Sequence, residues 1–304
     1  MQGLHAIFAV GTLLSPLIIR ASMDSSASET SLEGAYYVFA SFAFIGSCLF
    51  ACVPTPPPRA KSTFAALDTE LPPSLARSKQ IIALTALLIG MYVGAETGYG
   101  GFLILFATNG TWQMTEAEGQ YLTAVYWGSL AVGRVIAIPL SLKFKPSTQL
   151  LGDLFLCLTG VCLLLMGLAV ATNSISDSEG FLWAGSAVYG LGMASVFPSA
   201  FMLAESLVDL TGRVASVIMV GSATGEMVVP LVLGLVTESW APGFVVIILI
   251  VTLSFAVPSV VLYLHSSSTR KVAKGEDATG FDVLEKDAEL ATMNPIGRSD
   301  TIMD

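Results

Sequence analysis

The stretch 91-MYVGAETGYGGFLILFA-107 decides how this chain is read. It lies in an apolar run that starts at Ile81, and it carries one carboxylate, Glu96, among Gly94, Gly98, Gly100 and Gly101. A bilayer is crossed by ~20 predominantly apolar residues in a helix. Gln80 to Ala107 therefore reads as a membrane span with an acid near its middle.

The rest of the chain supports that reading. Of 304 residues, 54% are hydrophobic and only 12% are charged, against about a quarter charged in soluble domains. The apolar runs predict eight spans: Leu4 to Ile19, Tyr36 to Val53, Gln80 to Ala107, Gln120 to Phe144, Thr148 to Ala171, Phe181 to Glu205, Arg213 to Val236, and Gly243 to Leu264. The runs are continuous rather than alternating, which favours helices over a barrel. The predicted fold class is an all-α transmembrane bundle.

Charge placement orients the bundle. Arg59, Lys61, Arg77, Lys79, Lys143, Lys145, Arg213, Arg270, Lys271 and Lys274 fall in alternate gaps, at the span ends beside them, or in the tail. The other gaps, Thr108 to Gly119, Thr172 to Gly180 and Thr237 to Pro242, hold no Lys or Arg. Positive residues stay in the cytoplasm, so a multi-pass protein with a cytoplasmic C-terminus is expected. The plasma membrane is its expected location. Arg20, at an outer edge, is the exception. The Asn109-Gly110-Thr111 acceptor sequence falls in an outer gap, which makes Asn109 the candidate glycosylation site. All four cysteines (Cys48, Cys52, Cys157, Cys162) lie within spans, so no outer disulfide is expected. Nothing in the sequence forms a basic stripe for nucleic acid.

The organisation divides into four parts: two spans over 1–53, a Pro-rich basic linker over 54–79, six spans over 80–264, and a polar, disordered tail over 265–304. Many transporters pair two six-helix halves across a long cytoplasmic loop. On that plan the chain holds a complete C-terminal half and the last two helices of an N-terminal half, and four helices are expected upstream.

The segments LHAIFAVGTLLSPLI, GAETGYGGFLILFA, LTAVYWGSLAVGRVIAIPLSLKF and YGLGMASVFPSAF resemble the sodium-dependent glucose transporter-like branch of the major facilitator superfamily. Fucose–proton symporters are more distantly similar. The resemblance covers most of Leu4 to about Leu264. It implies secondary-active or facilitative transport of a hexose-like sugar by alternating access, with sodium as an optional coupling ion and no other cofactor. Two alternatives stay open: a non-transporting short isoform or fragment that associates with or regulates a full-length transporter, and a proton-coupled carrier of another small solute.

Several residues are candidates for the chemistry. A carboxylate at a helix centre is costly in lipid and therefore faces a cavity or a partner. Tyr92, Glu96 and Tyr99 recur at i, i+4 and i+7 and share a helix face. Tyrosine can stack on a sugar and hydrogen-bond it. The glycines permit a broken helix there, or close helix packing. Ser222, Glu226 and Pro230 share a face of the seventh span. Helix rise places Glu226 about 20 Å and Glu96 about 24 Å from their inner ends, so both suit substrate or ion binding. The competing reading is an ion pair that locks helices, for which Arg134, about 14 Å deep, is the natural partner. Trp127 shares a face with Arg134 and is a further candidate for the cavity wall, as are Tyr126 and Tyr189. The resemblance places Arg134 in a Gly-Arg motif near the cytoplasmic gate, a gating or helix-locking position. Asp153 and Glu205, near predicted cytoplasmic helix ends, read as solvated or interhelical polar contacts. Pro198 and Pro230 mark expected kinks. The only histidines are His5 and His265, and no metal-binding or hydrolase motif is present. An enzyme is not expected.

Overall fold

A computed structural model describes residues 33–54, 75–172 and 178–267, with scattered positions between Gly3 and Ser22. Half of the expected first span, most of the linker and most of the tail lie outside the described residues. Within them the chain forms eight helices: α1 (Glu33–Cys52), α2 (Leu75–Asn109), α3 (Glu116–Lys143), α4 (Pro146–Thr172), α5 (Glu179–Met193), α6 (Val196–Glu205), α7 (Gly212–Ser239) and α8 (Gly243–Ser267). With α5 and α6 taken as one interrupted element, seven of the described segments are long and apolar enough to cross a membrane.

Local chemistry sets the helix ends. Thr115 caps α3 with a capping box: its hydroxyl accepts from Glu118 N–H at 3.3 Å, and the Glu118 carboxylate accepts from Thr115 N–H at 2.9 Å. These bonds satisfy donors that the helix itself leaves free. Pro146 opens α4, where its missing N–H costs nothing. Thr211 caps α7 by accepting from Val214 N–H at 3.4 Å.

α2 is the central element. It is helical over 35 residues, about 52 Å at the standard rise, longer than the ~30 Å hydrocarbon core. Its buried residues Leu88, Tyr92, Ala95, Tyr99, Leu103 and Phe106 recur every three or four positions. The glycines do not interrupt it. They bring α7 against it instead. A Cβ at Gly94 would stand 2.5 Å from the Gly225 carbonyl oxygen, and one at Gly90 would stand 2.6 Å from that of Gly221. Two small-residue ridges, Gly90–Gly94 and Gly221–Gly225, thus put backbone on backbone, a membrane packing mode driven by close van der Waals contact.

The sixth expected span, Phe181 to Glu205, is one apolar run in sequence but two helices in space. The break falls at Ala194 and Ser195, just before the expected kink at Pro198. Pro198 lacks the N–H that would bond the Ala194 carbonyl, and α6 restarts with Pro198 in its first turn, where proline is tolerated. Pro230 sits inside α7, which stays helical across it. The four cysteines are free. α1 buries only Ala35, and its remaining apolar side chains face outward, as do Val132, Val135 and Leu142 of α3 and Val220, Met227 and Leu231 of α7. Such faces suit lipid.

Candidate functional site

The site grows from the middle of α2. The Glu96 side chain is 7% exposed, and that of Arg134, from α3, is 1% exposed. Arg134 Nη2 lies 2.7 Å from Glu96 Oε1. Gly133 makes this approach possible: a Cβ there would stand 2.5 Å from the Ala194 methyl, so any larger residue would push α3 away from the break.

The guanidinium does more than neutralise the acid. Its Nε donates to the Ala194 carbonyl at 3.2 Å, and its Nη2 donates to the Tyr92 hydroxyl at 3.3 Å. Tyr92 in turn donates to the Met193 carbonyl at 2.8 Å. The carbonyls exposed by the α5–α6 break are therefore taken up by side chains from α2 and α3. Pro198 is the sequence signal for this arrangement, because it fixes which carbonyl must find another donor. Tyr126 donates to the Glu96 backbone carbonyl at 3.1 Å, so the acid is fixed by its main chain as well.

Glu96 and Arg134 form part of the wall of a cavity of about 520 Å³. Thr97, Ser222 and Glu226 add polar groups, and Val93, Phe197, Ile7 and Phe8 supply apolar surface. The Phe8 ring lies over the guanidinium, 5.4 Å from its carbon to the ring centroid, within cation–π range. Thr97 spends its hydroxyl on the Val93 carbonyl at 2.8 Å. Glu226 is exposed, with no hydrogen bond or ion pair to a described residue.

The structure thus brings Glu96, Arg134, Ser222 and Glu226 to one cavity. It does not bring Tyr92 and Tyr99 there. Both are fully buried, Tyr92 in the arginine network and Tyr99 against Ser186, oxygen to oxygen at 2.7 Å. Tyr99, Tyr126 and Tyr189 form an aromatic cluster, with Tyr99 centred 4.6 Å from Tyr126 and 4.8 Å from Tyr189. Trp127 packs its indole on Gly100 and its ring edge on Tyr126, 5.1 Å between centroids. Asn109 is exposed at the last residue of α2. Thr97 and Phe197 line the cavity and were not singled out from the sequence. Thr97 is ordinary in an apolar span, and Phe197 gains its place only through the break. Among the described residues no cluster of His, Cys, Asp or Glu fit to hold a metal ion occurs.

A multi-pass, all-α bundle with a buried ion pair at the wall of a partly open cavity is an architecture that helical membrane transporters share. The chain belongs to the Major Facilitator Superfamily, whose family model matches residues 3–230. It is 27% identical over 264 residues to the Homo sapiens protein named sodium-dependent glucose transporter 1, covering 77% of this chain and 49% of that one. The Danio rerio protein of the same name is 30% identical, covering 77% of this chain and 43% of that one. Major facilitator superfamily domain-containing protein 4A of Xenopus tropicalis is 29% identical over 187 residues, covering 61% of this chain and 36% of that one. The chain spans about half the length of the curated relatives it matches.

Proposed function

We propose that this protein serves secondary transport of a hexose-like sugar by alternating access, with the cavity at Glu96, Ser222 and Glu226 as part of the substrate path. The observation that carries the reading is the pairing, at a single cavity between apolar walls, of one carboxylate engaged by an arginine with one that has no partner among the described residues. Pockets of this kind, mostly apolar with a few placed polar groups, are the usual form of small-molecule sites. Sugar hydroxyls both donate and accept, so Glu226 and Ser222 offer suitable partners, and Phe197 offers an apolar face to the ring.

Sodium is proposed as the coupling ion, sensed at Glu226, which forms no ion pair with a described residue. The names of the relatives support sugar and sodium together. The fold supports alternating access, because facilitator-type bundles place their sites at mid-membrane between moving repeats. Plasma-membrane residence with a cytoplasmic C-terminus belongs to the same proposal, whereas association with a full-length homologue belongs to the alternative of a non-transporting isoform or fragment.

The test is uptake of labelled glucose into proteoliposomes holding the purified protein, in sodium and in choline. Saturable uptake that rises with sodium and loses its sodium dependence in Glu226→Gln supports the reading. Saturable uptake indifferent to sodium removes the coupling but not the cargo. No saturable uptake of any hexose, from folded protein extended by the four helices expected upstream, rejects the cargo.

A further inference from the structure

A second buried carboxylate lies away from the cavity. Asp153 is 8% exposed and stands in the second turn of α4, at the seam where α4 meets the α5–α6 break. Ser195 donates to its Oδ2 at 2.5 Å. Gln149, one turn earlier on α4, donates through Nε2 to the Ser195 oxygen at 3.1 Å. The hydroxyl thus accepts from Gln149 and points its proton at Asp153. Ser199, one turn beyond Ser195 on α6, is fully buried and its hydroxyl has no partner among the described residues.

The groups around Asp153 offer it no counter-charge. On its own helix the next turn carries the Cys157 thiol, buried and neutral in kind. From α5 the nearest titratable side chain on this seam is Tyr189, whose hydroxyl is bonded to Thr252 at 3.1 Å. From α3 comes Arg134, whose charge meets Glu96, and Lys143, exposed at the helix end. From α6 comes Glu205, exposed at its far end. Asp153 forms no ion pair with any described residue. A buried carboxylate in this position is neutralised by a bound cation or by a proton. A hard metal cation takes about six oxygens. Here a carboxylate and one hydroxyl are in place, and Gln149 turns its N–H, not its carbonyl, toward that hydroxyl. The arrangement is a hydrogen-bond line rather than an oxygen cage.

We propose that Asp153 is a proton-binding site separate from the cavity, its carboxyl group held at the α4–α6 seam by Ser195, which Gln149 orients in turn. The reaction is simple in its balance: one proton from water adds to the carboxylate and gives the carboxylic acid, while Ser195 and Gln149 keep their own protons. Its consequence follows from position. Ser195 is bonded in sequence to Ala194, whose carbonyl is held by Arg134, the partner of Glu96. Neutralising Asp153 takes away the anion at which the Ser195 hydroxyl points, so the protonation of α4 is read at the same break that the cavity ion pair grips. The inference does not depend on the cargo.

Infrared difference spectroscopy of the purified full chain in lipid nanodiscs, stepped between neutral and acidic solution without sugar, tests it. A carboxylic acid carbonyl band is expected on acidification. It should vanish in Asp153→Asn, persist in Glu205→Gln, and change frequency in Ser195→Ala, which removes the hydrogen bond to that acid. A band set unchanged in Asp153→Asn overturns the proposal. Should that variant fail to fold, Ser195→Ala and Gln149→Leu carry the test, and bands unmoved in both overturn it. Suppression of the Asp153 band by sodium but not by choline would make the site a metal-cation site, which also overturns the proton assignment.

Discussion

Arg134 and Glu96 meet at 2.7 Å in the interior of the bundle, and the same guanidinium holds the Ala194 carbonyl at 3.2 Å. One side chain on α3 therefore joins the acid of α2 to the break between α5 and α6. A buried pair contributes little over an apolar replacement, but losing one member leaves a bare charge, at about 3–5 kcal/mol. Arg134→Leu is expected to lower folded yield sharply. Arg134→Leu with Glu96→Leu together should recover much of it. Thermal unfolding of the purified single and double variants measures this, and a loss in the double variant equal to the sum of the Arg134→Leu and Glu96→Leu losses would mean that the two charges act independently.

The α2–α7 contact makes a sharper steric prediction. A side chain at Gly225 would collide with the Gly90 backbone, whereas nothing lies within 4 Å of a Cβ at Gly101. Gly225→Ala should cost about 1–3 kcal/mol, as overpacked sites do. Gly101→Ala, on the same structure, should be neutral or slightly stabilising, since alanine is the better helix former. Comparing the two melting temperatures decides whether the glycines serve packing. A loss at Gly101 as large as at Gly225 would argue that chain flexibility matters instead.

Tyr99 offers a test of the cavity boundary. Its hydroxyl reaches Ser186, and the side chain is fully buried among Tyr126, Tyr189 and Phe244. Tyr99→Phe leaves the Ser186 hydroxyl short of a partner, at about 1–3 kcal/mol. Reduced stability is expected with the apparent affinity for sugar unchanged in uptake measurements. A weakened affinity at native stability would place this hydroxyl on the substrate.

These outcomes mark what the sequence reveals. Spans need only length and apolarity, which are one-dimensional properties, so α2, α3, α4, α7 and α8 are legible within a few residues of their ends. The break inside Phe181 to Glu205 is less so, because Pro198 announces a disturbance but not the turn at which hydrogen bonding stops. Helix periodicity places Tyr92, Glu96 and Tyr99 toward one side. It cannot say whether that side meets a cavity or another helix, and here Tyr92 and Tyr99 meet α5, α6 and α8. Pairing of Glu96 with Arg134 is a reading that the sequence admits, since both sit deep in apolar runs, but 38 residues separate them and only the fold selects this pair over Glu226 with Arg134.

Topology can be checked independently. The loop after α2 and the loop after α3 lie at opposite ends of α3. In a background with the native cysteines replaced, cysteines introduced at Thr111 and Lys145 should label from opposite sides of the membrane in intact cells, with Thr111 outside. The reverse pattern would invert the orientation inferred from the basic residues.

The central claim is that Ser222 and Glu226 face the substrate path. In the same cysteine-free background, Ser222→Cys should react with a membrane-impermeant thiol reagent in proteoliposomes, and glucose should slow that reaction in a concentration-dependent way. Mannitol, similar in size but without the ring, should protect far less. Labelling of Ser222→Cys at one rate with and without any hexose, in protein shown to be folded, would contradict the account.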